Sequence, residues 1–361
     1  MSSPAKAQSP APRPPTGDAS PAAEATVLLP GSHWTEQGLP EDETDGDSTV
    51  GSDIESSTAS ISSSILHYRT MNGRTYHSDS VTDGEYWGPN DEKANEMLDI
   101  FHHAMTICLD GRLYDAPVPK NIENAIDLGT GTGLWAIDFA DQFPNCTVMG
   151  TDISPIQPSW VPPNVRFEIE DYNKVPWTYK SDFFDFIHLR WLTGTVKDWS
   201  TFYQEAYRSC KPGGYVEHMD ANSGNIFSDD GSVDSKVHAL GQWGPMWHAA
   251  TEKIGQRLIS EHTVETAMKE AGFVNIVVKD YKVPLSPWST DKKWHEVGLY
   301  LYATLTQDLE GAVLYAFGNV MGWSTEQINI YIQHFKKELK DKNLHPYFNY
   351  RKVYGQKPLD G

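Results

Sequence analysis

The chain has 361 residues, of which 39% are hydrophobic and 22% charged, with a formal net charge of −20 and an isoelectric point near 5.0. That length suits one large domain or two small ones, with enough apolar material for a core. The acidity excludes a global attraction to nucleic acid, which would need a local basic patch. The three cysteines, Cys108, Cys146 and Cys210, are too scattered for a metal site or a disulfide framework, so no metal is expected and a reducing compartment is. The N-terminus lacks a basic-then-apolar signal, and no apolar run reaches the roughly 18 residues of a membrane span. The expectation is a cytoplasmic or nuclear protein, neither secreted nor membrane-bound.

Residues 1–65 are rich in Ser, Pro, Ala and Thr and carry ten carboxylates against Lys6 and Arg13, with Trp34 as the one aromatic. Such a segment buries too little apolar surface to offset its ordering entropy, so it is expected to be a disordered acidic tail. The serine run Ser56–Ser64 is either a phosphorylation stretch or inert. Residues 66–361 read as the folded domain, opening with an N-terminal helical lid over 66–120. In it, Asn90 or Asp91 can cap a helix whose apolar positions are Met97, Ile100, Phe101, Ala104 and Cys108. The adjacent His102 and His103 point in different directions on a helix and read as surface or packed residues, not a metal pair.

From residue 121 strands and helices alternate. "NAIDL" is a strand, "GLWAIDFADQF" a helix with Leu134, Ile137 and Ala140 inward, and "CTVMGTD", "VRFEIED" and "FDFIHLRWL" are further strands. "DWSTFYQEAYRSC" is a helix, and "KPGGYVEHMD" a turn and fifth strand ending the core at 220. This is the pattern of an α/β fold with a parallel sheet and helices on both faces. Residues 221–325 form a helical insertion that carries a sixth strand, "VNIVVKDYKVPL". Residues 326–361 supply a last helix, begun by a Ser324/Gln327 capping box, and a last strand. The apolar face of that helix is Ile328, Tyr331, Ile332, Phe335 and Leu339. "KKELKDK" is interrupted by Glu338 and Asp341 and reads as a solvated face, so no direct nucleic-acid partner is expected.

The stretch "IDLGTGTGLWAID" spaces Gly129, Gly131 and Gly133 at alternate positions after a strand. Ligands of open α/β sheets bind at the carboxyl ends of the strands, near such a turn, and glycine lets a ligand approach the backbone. A dinucleotide and S-adenosylmethionine both fit, because each sets a ribose on an acidic residue roughly 20 positions further on, here Asp152. Spacing alone does not separate them. Asp127, just before the glycines, would repel a pyrophosphate but suits the ammonium of a methionine moiety. "FEIEDYN" places Asp171, flanked by Tyr172, where a carboxylate accepts from an adenine amino group. There is one glycine-loop unit, then "KPGG" before strand five, and the later elements suit a sheet whose last strand is antiparallel. These features favour S-adenosylmethionine, and Asp127 disfavours a nicotinamide oxidoreductase.

With "NGRTYH", "GPNDE", "LDIFHH", "DLGTGTGLWAIDFAD", "GTDISPIQP", "FEIEDY", "FDFIHLR", "KPGGYVEHMD" and "YGQKP" in order, residues 66–358 resemble the class I S-adenosylmethionine-dependent methyltransferases. Within them they resemble the fungal LaeA-like, velvet-complex-associated group. Thr130 stands where the family often has Cys, a change that leaves the turn intact. The resemblance implies a Rossmann-like seven-stranded sheet with a helical insertion after strand five. It implies that Asp127, Gly129, Thr130, Gly131, Gly133 and Leu134 border the methionine part of S-adenosylmethionine, Asp152 and Ile153 the ribose, and Asp171 and Tyr172 the adenine. His188 and Arg190 would look into the pocket, and Tyr76 with "GPND" would close over the donor.

Methyl transfer is an in-line displacement at an already activated donor, so positioning does most of the work. An oxygen or carbon nucleophile also calls for a base. His188 and Glu217 are the catalytic candidates, with His218 and Asp220 nearby; Glu217 and Met219 share one face of their strand, His218 and Asp220 the other. Trp243, Trp247, Trp288, Trp294 and Trp323 make 221–325 the acceptor side, either as core or as the lining for a planar, hydrophobic molecule. Two functions follow. One is transfer to a small molecule of secondary metabolism. The other is a regulatory subunit of a nuclear complex, methylating protein or acting through velvet-type partners.

Overall fold

A computed structural model describes residues 28–40, 64–82, 86–260 and 262–359. Its centre is a seven-stranded sheet built from β3 (Asn124–Leu128), β4 (Thr147–Asp152), β5 (Val165–Ile169), β6 (Phe184–Arg190), β7 (Cys210–Phe227), β8 (Val274–Pro284) and β9 (Tyr347–Gln356), in the spatial order β5-β4-β3-β6-β7-β9-β8. β3 to β7 are parallel, and β9 runs antiparallel between β7 and β8. The order reverses between β3 and β6, which opens a crevice at their carboxyl ends. β7 does not end at Asp220: it continues to Phe227 through an irregularity between Ala221 and Ile226, so the strand crosses from the core into the insertion.

Helices α2 (Glu92–Cys108), α3 (Leu134–Gln142) and α4 (Trp199–Ser209) flank the parallel part, with α2 capped by the Asp91 carboxylate. Expected inward residues of α3 were Leu134, Ile137 and Ala140. Ala140 is buried as expected, but Trp135, Ala136 and Phe139 are buried in place of Leu134 and Ile137, because the helix presents its aromatic stripe to Ala125, Val148 and Phe186. That rotation leaves Leu134 at the crevice. Beyond β7 come α5 (Ala239–Lys253), α6 (Thr263–Ala271), α7 (Lys292–Gln307), α8 (Leu309–Val313), a π-helical stretch Leu314–Val320, and α9 (Thr325–Lys340). The Ser324/Gln327 capping box is present, and all five expected apolar residues of α9 are buried. Within the described residues no helix is long and apolar enough to cross a membrane.

Most of the 1–65 tail lies outside the described residues, including Ser56–Ser63. Residues 28–40 correct the expectation of a structureless segment. They form α1 (Gly31–Gln37), and Trp34 is fully buried against Tyr331 and His334 of α9. Leu29 N–H also donates to Gln242 Oε1 at 2.8 Å. One large aromatic anchor compensates for a polar local sequence. A hairpin, β1 (Arg69–Met71) and β2 (Arg74–Tyr76), is tied to the far helices by Arg74, which donates to Asp91 at the start of α2 and to the buried Asp308 at the start of α8.

Candidate active site

A cavity of about 210 Å³ lies at the carboxyl ends of β3, β4 and β6, roofed by α2, α5, α7 and α8. Its first half is the glycine loop and its neighbours. Gly129 and Gly131 have φ of +67° and +59°, a region that L side chains rarely occupy. A Cβ on Gly129 would also stand 2.5 Å from Leu192 Cδ2. Asp152 sits below, accepting from Gly131 N–H at 2.9 Å and Ser154 N–H at 3.0 Å. Burial pushes its pKa up to about 6, against the pull of those backbone donors. Asp171 accepts from Thr82 Oγ1 at 2.5 Å and Asn173 N–H at 2.9 Å. The Tyr172 and Thr195 hydroxyls are bonded at 2.7 Å.

The middle of the cavity is built on the face shared by β3 and β6, where Asp127 and His188 are in register. Asp127 accepts from Thr130 Oγ1 at 2.6 Å and lies 2.7 Å from His188 Nδ1. A carboxylate only accepts, so Nδ1 carries the hydrogen and Nε2 keeps its lone pair. Burial lowers the His188 pKa to about 4, despite the opposing pull of Asp127, so the ring is neutral at pH 7. Two residues on, Arg190 bonds to His102 Nδ1 at 2.9 Å, and His102 Nε2 lies 2.9 Å from Asp138 Oδ2.

The second half is apolar. Phe101 and Trp191 pack at 4.0 Å between centroids, and Trp87 meets Trp247 edge-on at 4.6 Å. Trp243, Leu258, Leu305, Phe348 and Tyr350 complete the wall. The nearby carboxylates are engaged. Asp220 accepts from Leu192 N–H at 2.7 Å and Thr193 N–H at 2.9 Å, holding the turn that sets Trp191 at φ +60°. Asp308 lines this half but is bound by Arg74 and by Gly311 N–H.

Of the residues singled out in the sequence, Asp127, Gly129, Thr130, Gly131, Leu134, Asp152, Ile153, Asp171, Tyr172, His188 and Arg190 come together in this wall. Three do not. Gly133 stands behind the loop as the cap of α3, where a Cβ would collide with the Phe167 ring. Tyr76 is buried against Tyr315, not over the loop, because the Arg74 tether draws its hairpin toward α8. Glu217 is turned from the cavity and structural: it accepts from the N–H groups of Asp115 (2.8 Å) and Ala116 (2.6 Å) and lies 3.4 Å from Lys352 Nζ. His218 is likewise committed, to Tyr203 and Asp220. Trp243 and Trp247 line the cavity, whereas Trp288, Trp294 and Trp323 do not. Sequence reasoning missed Thr82, Tyr86, Trp87, His102, Trp191 and Thr195. The one signal for them was their place beside "GPND", in "FHH" and after "FIHLR". His103 is exposed and packs on Tyr300. Among the described residues no cluster of His, Cys, Asp and Glu could hold a metal ion.

A family profile described as "Methyltransferase domain" matches residues 100–278. The chain is 33% identical to methyltransferase pytC of Aspergillus terreus, over 85% of this chain and 93% of that protein. It is 32% identical to secondary metabolism regulator LAE1 of Cochliobolus heterostrophus, over 77% and 91%. It is also 32% identical to protein-methionine methyltransferase laeA of Emericella nidulans, over 81% and 77%. Among solved structures, phosphoethanolamine N-methyltransferase 2 of Haemonchus contortus with S-adenosyl-L-methionine aligns over 78% of this chain and 56% of that one, at 17% identity and a TM-score of 0.42. That likeness is too distant to carry an argument. The sheet order, the glycine loop with its acidic residues, and a third of the sequence shared over most of the length agree: the chain belongs to the S-adenosylmethionine-dependent methyltransferases, in the LaeA-like group of fungal secondary metabolism.

Proposed function

We propose that the cavity holds S-adenosylmethionine on its polar half and an apolar, planar small molecule of secondary metabolism on its aromatic half. The residues fit the donor. The glycine backbone leaves room no side chain could share, and Asp152 has capacity for ribose hydroxyls beyond its backbone donors. Asp171 and Tyr172 flank the adenine position, and Asp127 supplies the negative charge an ammonium needs. The bound donor supplies a methyl group on a sulfonium. This chain positions the acceptor's nucleophile in line with it and excludes water.

One observation carries the choice of acceptor: among the described residues the aromatic half has no uncommitted carboxylate, since Asp220 and Asp308 are bonded within the protein. A site of this kind suits an electron-rich acceptor whose nucleophile is acidic or already neutral and reactive. His188 Nε2 serves as a hydrogen-bond acceptor that orients a hydroxyl; a ring with a pKa near 4 is a weak base at neutral pH. Glu217, bonded to the Asp115 and Ala116 N–H groups, is assigned to holding the fold and not to the chemistry.

The names of the LaeA-type relatives, secondary metabolism regulator and protein-methionine methyltransferase, support a second reading, a regulator that methylates protein. Labelling separates the two. Incubation of the protein and methyl-tritiated S-adenosylmethionine with an extract of its source organism should place label in the organic-soluble, low-mass fraction. Label confined to polypeptide would replace the first reading with the second.

A further inference from the structure

We propose that the free edge of β5 is a two-fold interface, on which a second copy of this chain lays its own β5 in antiparallel register centred on Phe167. The inference stands apart from the donor site, and its test needs no ligand.

β5 is the outermost strand of the sheet and pairs on one side only, with β4. Two bonds fix which of its residues face β4: Val148 N–H donates to Asn164 O at 2.8 Å, and Glu170 N–H donates to Asp152 O at 3.0 Å. Backbone groups alternate sides along a strand, so residues 164, 166, 168 and 170 bond to β4. Val165, Phe167 and Ile169 therefore turn their N–H and C=O groups outward. Val165 N–H is taken by Pro162 O. Among the described residues, the N–H groups of Phe167 and Ile169 have no partner across that edge. Such a row is a template for another strand.

The side chains decide which strand fits. Arg166 and Glu168 share one face of β5. Both are exposed, and among the described residues neither makes a hydrogen bond or an ion pair. The opposite edge of the sheet is different. On β8, Lys279 pairs with Asp115, Asp280 with Arg351 and Lys282 with Asp229. Charges on an edge strand ordinarily block strand addition. Those of β5 are uncommitted, and they complement themselves.

Antiparallel pairing about Phe167 sets that residue opposite its own copy, with two N–H···O=C bonds between them. Ile169 N–H then meets Val165 O of the partner subunit, twice by symmetry, and the spent Val165 N–H is not needed. Arg166 falls opposite Glu168 of the partner subunit at a non-hydrogen-bonded position, where side chains lie closest. A slip of two residues either way would set Arg166 or Glu168 opposite its own copy, like charge on like. The charges thus select one register and one two-fold axis. The loop entering β5 carries Trp160, 91% exposed, and the antiparallel arrangement brings that loop to the end of the partner's strand, where the indole adds apolar area.

Sedimentation velocity of the full-length chain over a concentration series tests this. The wild type should be dimeric at about 100 μM and dissociate on dilution. Arg166→Glu and Glu168→Arg, both at exposed positions, each set like charges opposite one another and should weaken the dimer about tenfold or more. An equimolar mixture of the two variants should associate as the wild type does, because each carries the charges the other lacks. Hydrogen exchange at Phe167 and Ile169 should slow as the wild-type dimer fills. A monomer at every concentration, a dimer indifferent to both variants, or a mixture no tighter than its components would overturn the proposal. Slow exchange at those two amides in dilute monomer would also overturn it, and would place a segment of the same chain on the edge.

Discussion

His188 lies flat on Trp135, with ring centroids 3.7 Å apart and planes within 1°, while its edge meets Asp127 at 2.7 Å. Trp135 shields one face of the imidazole from water, and Asp127 fixes which nitrogen carries the hydrogen. The consequence is a neutral ring in the wall of the cavity.

That neutrality makes stability depend on pH. The unfolded histidine binds a proton below about 6.5, whereas the folded one does not until about 4. The stabilisation is therefore complete above pH 6.5 and is lost as the pH falls toward 4, by up to about 3 kcal/mol. Urea unfolding at pH 7 and pH 5 should show a drop that is reduced in His188→Asn. An identical drop in both proteins would contradict the assignment.

Donor binding should weaken in acid through Asp152. Its carboxyl is held up to about 6 by burial, and ribose hydroxyls favour the ionised form. Affinity for S-adenosylhomocysteine should be constant above pH 7 and fall below pH 6, approaching tenfold per unit. Asp152→Asn should be weak at every pH. A wild-type affinity that does not change between pH 7.5 and 5 would argue against this carboxylate as the ribose partner.

Glu217→Ala should damage the fold and spare the donor site. It removes a buried acceptor from Asp115 and Ala116 and leaves Lys352, 1% exposed, with one carboxylate partner fewer. Breaking such a pair costs about 3–5 kcal/mol. Thermal unfolding should show the loss, with donor affinity retained at temperatures where the variant is folded. A stable variant that binds the donor but has lost methyl transfer would restore Glu217 to the chemistry.

Trp34→Ala should undock α1 and leave the sheet intact. The indole fills a site formed with Tyr331 and His334, and a helix of seven residues is too short to persist alone. Hydrogen exchange should show lost protection at Gly38, whose N–H is bonded to Trp34 O at 3.1 Å, with β3 and β6 unchanged. Retained protection would mean that contacts other than Trp34 hold the segment.

The parts of the site legible in the sequence were those that short-range physics dictates. Gly129 and Gly131 are required by positive φ, Asp152 by the length of one strand–helix–strand unit, and the Ser324/Gln327 box by the chemistry of a helix start. What was misread depends on distant partners. Alternation along β7 separates Glu217 from His218 but does not show that Lys352 waits on β9. Nothing local to "SHWTEQ" announces Tyr331; the doublet His102–His103 reads correctly as a packed and a surface ring, but does not show that the packed one meets Arg190. Tyr76 went astray for the same reason, through the tether from Arg74 to Asp308.

The central claim is that the loop Gly129–Gly133 and Asp152 form a working donor site. Calorimetric titration with S-adenosylmethionine, beside Gly131→Asp as a folded control, tests it most directly. A side chain at Gly131, where φ is +59° and a Cβ would stand 3.3 Å from Leu98 Cδ1, adds strain and a second negative charge next to Asp152. Micromolar binding by the wild type, abolished in the variant, is the result this account predicts. A folded wild type that takes up no S-adenosylmethionine, or a Gly131→Asp protein that binds it equally well, would contradict it.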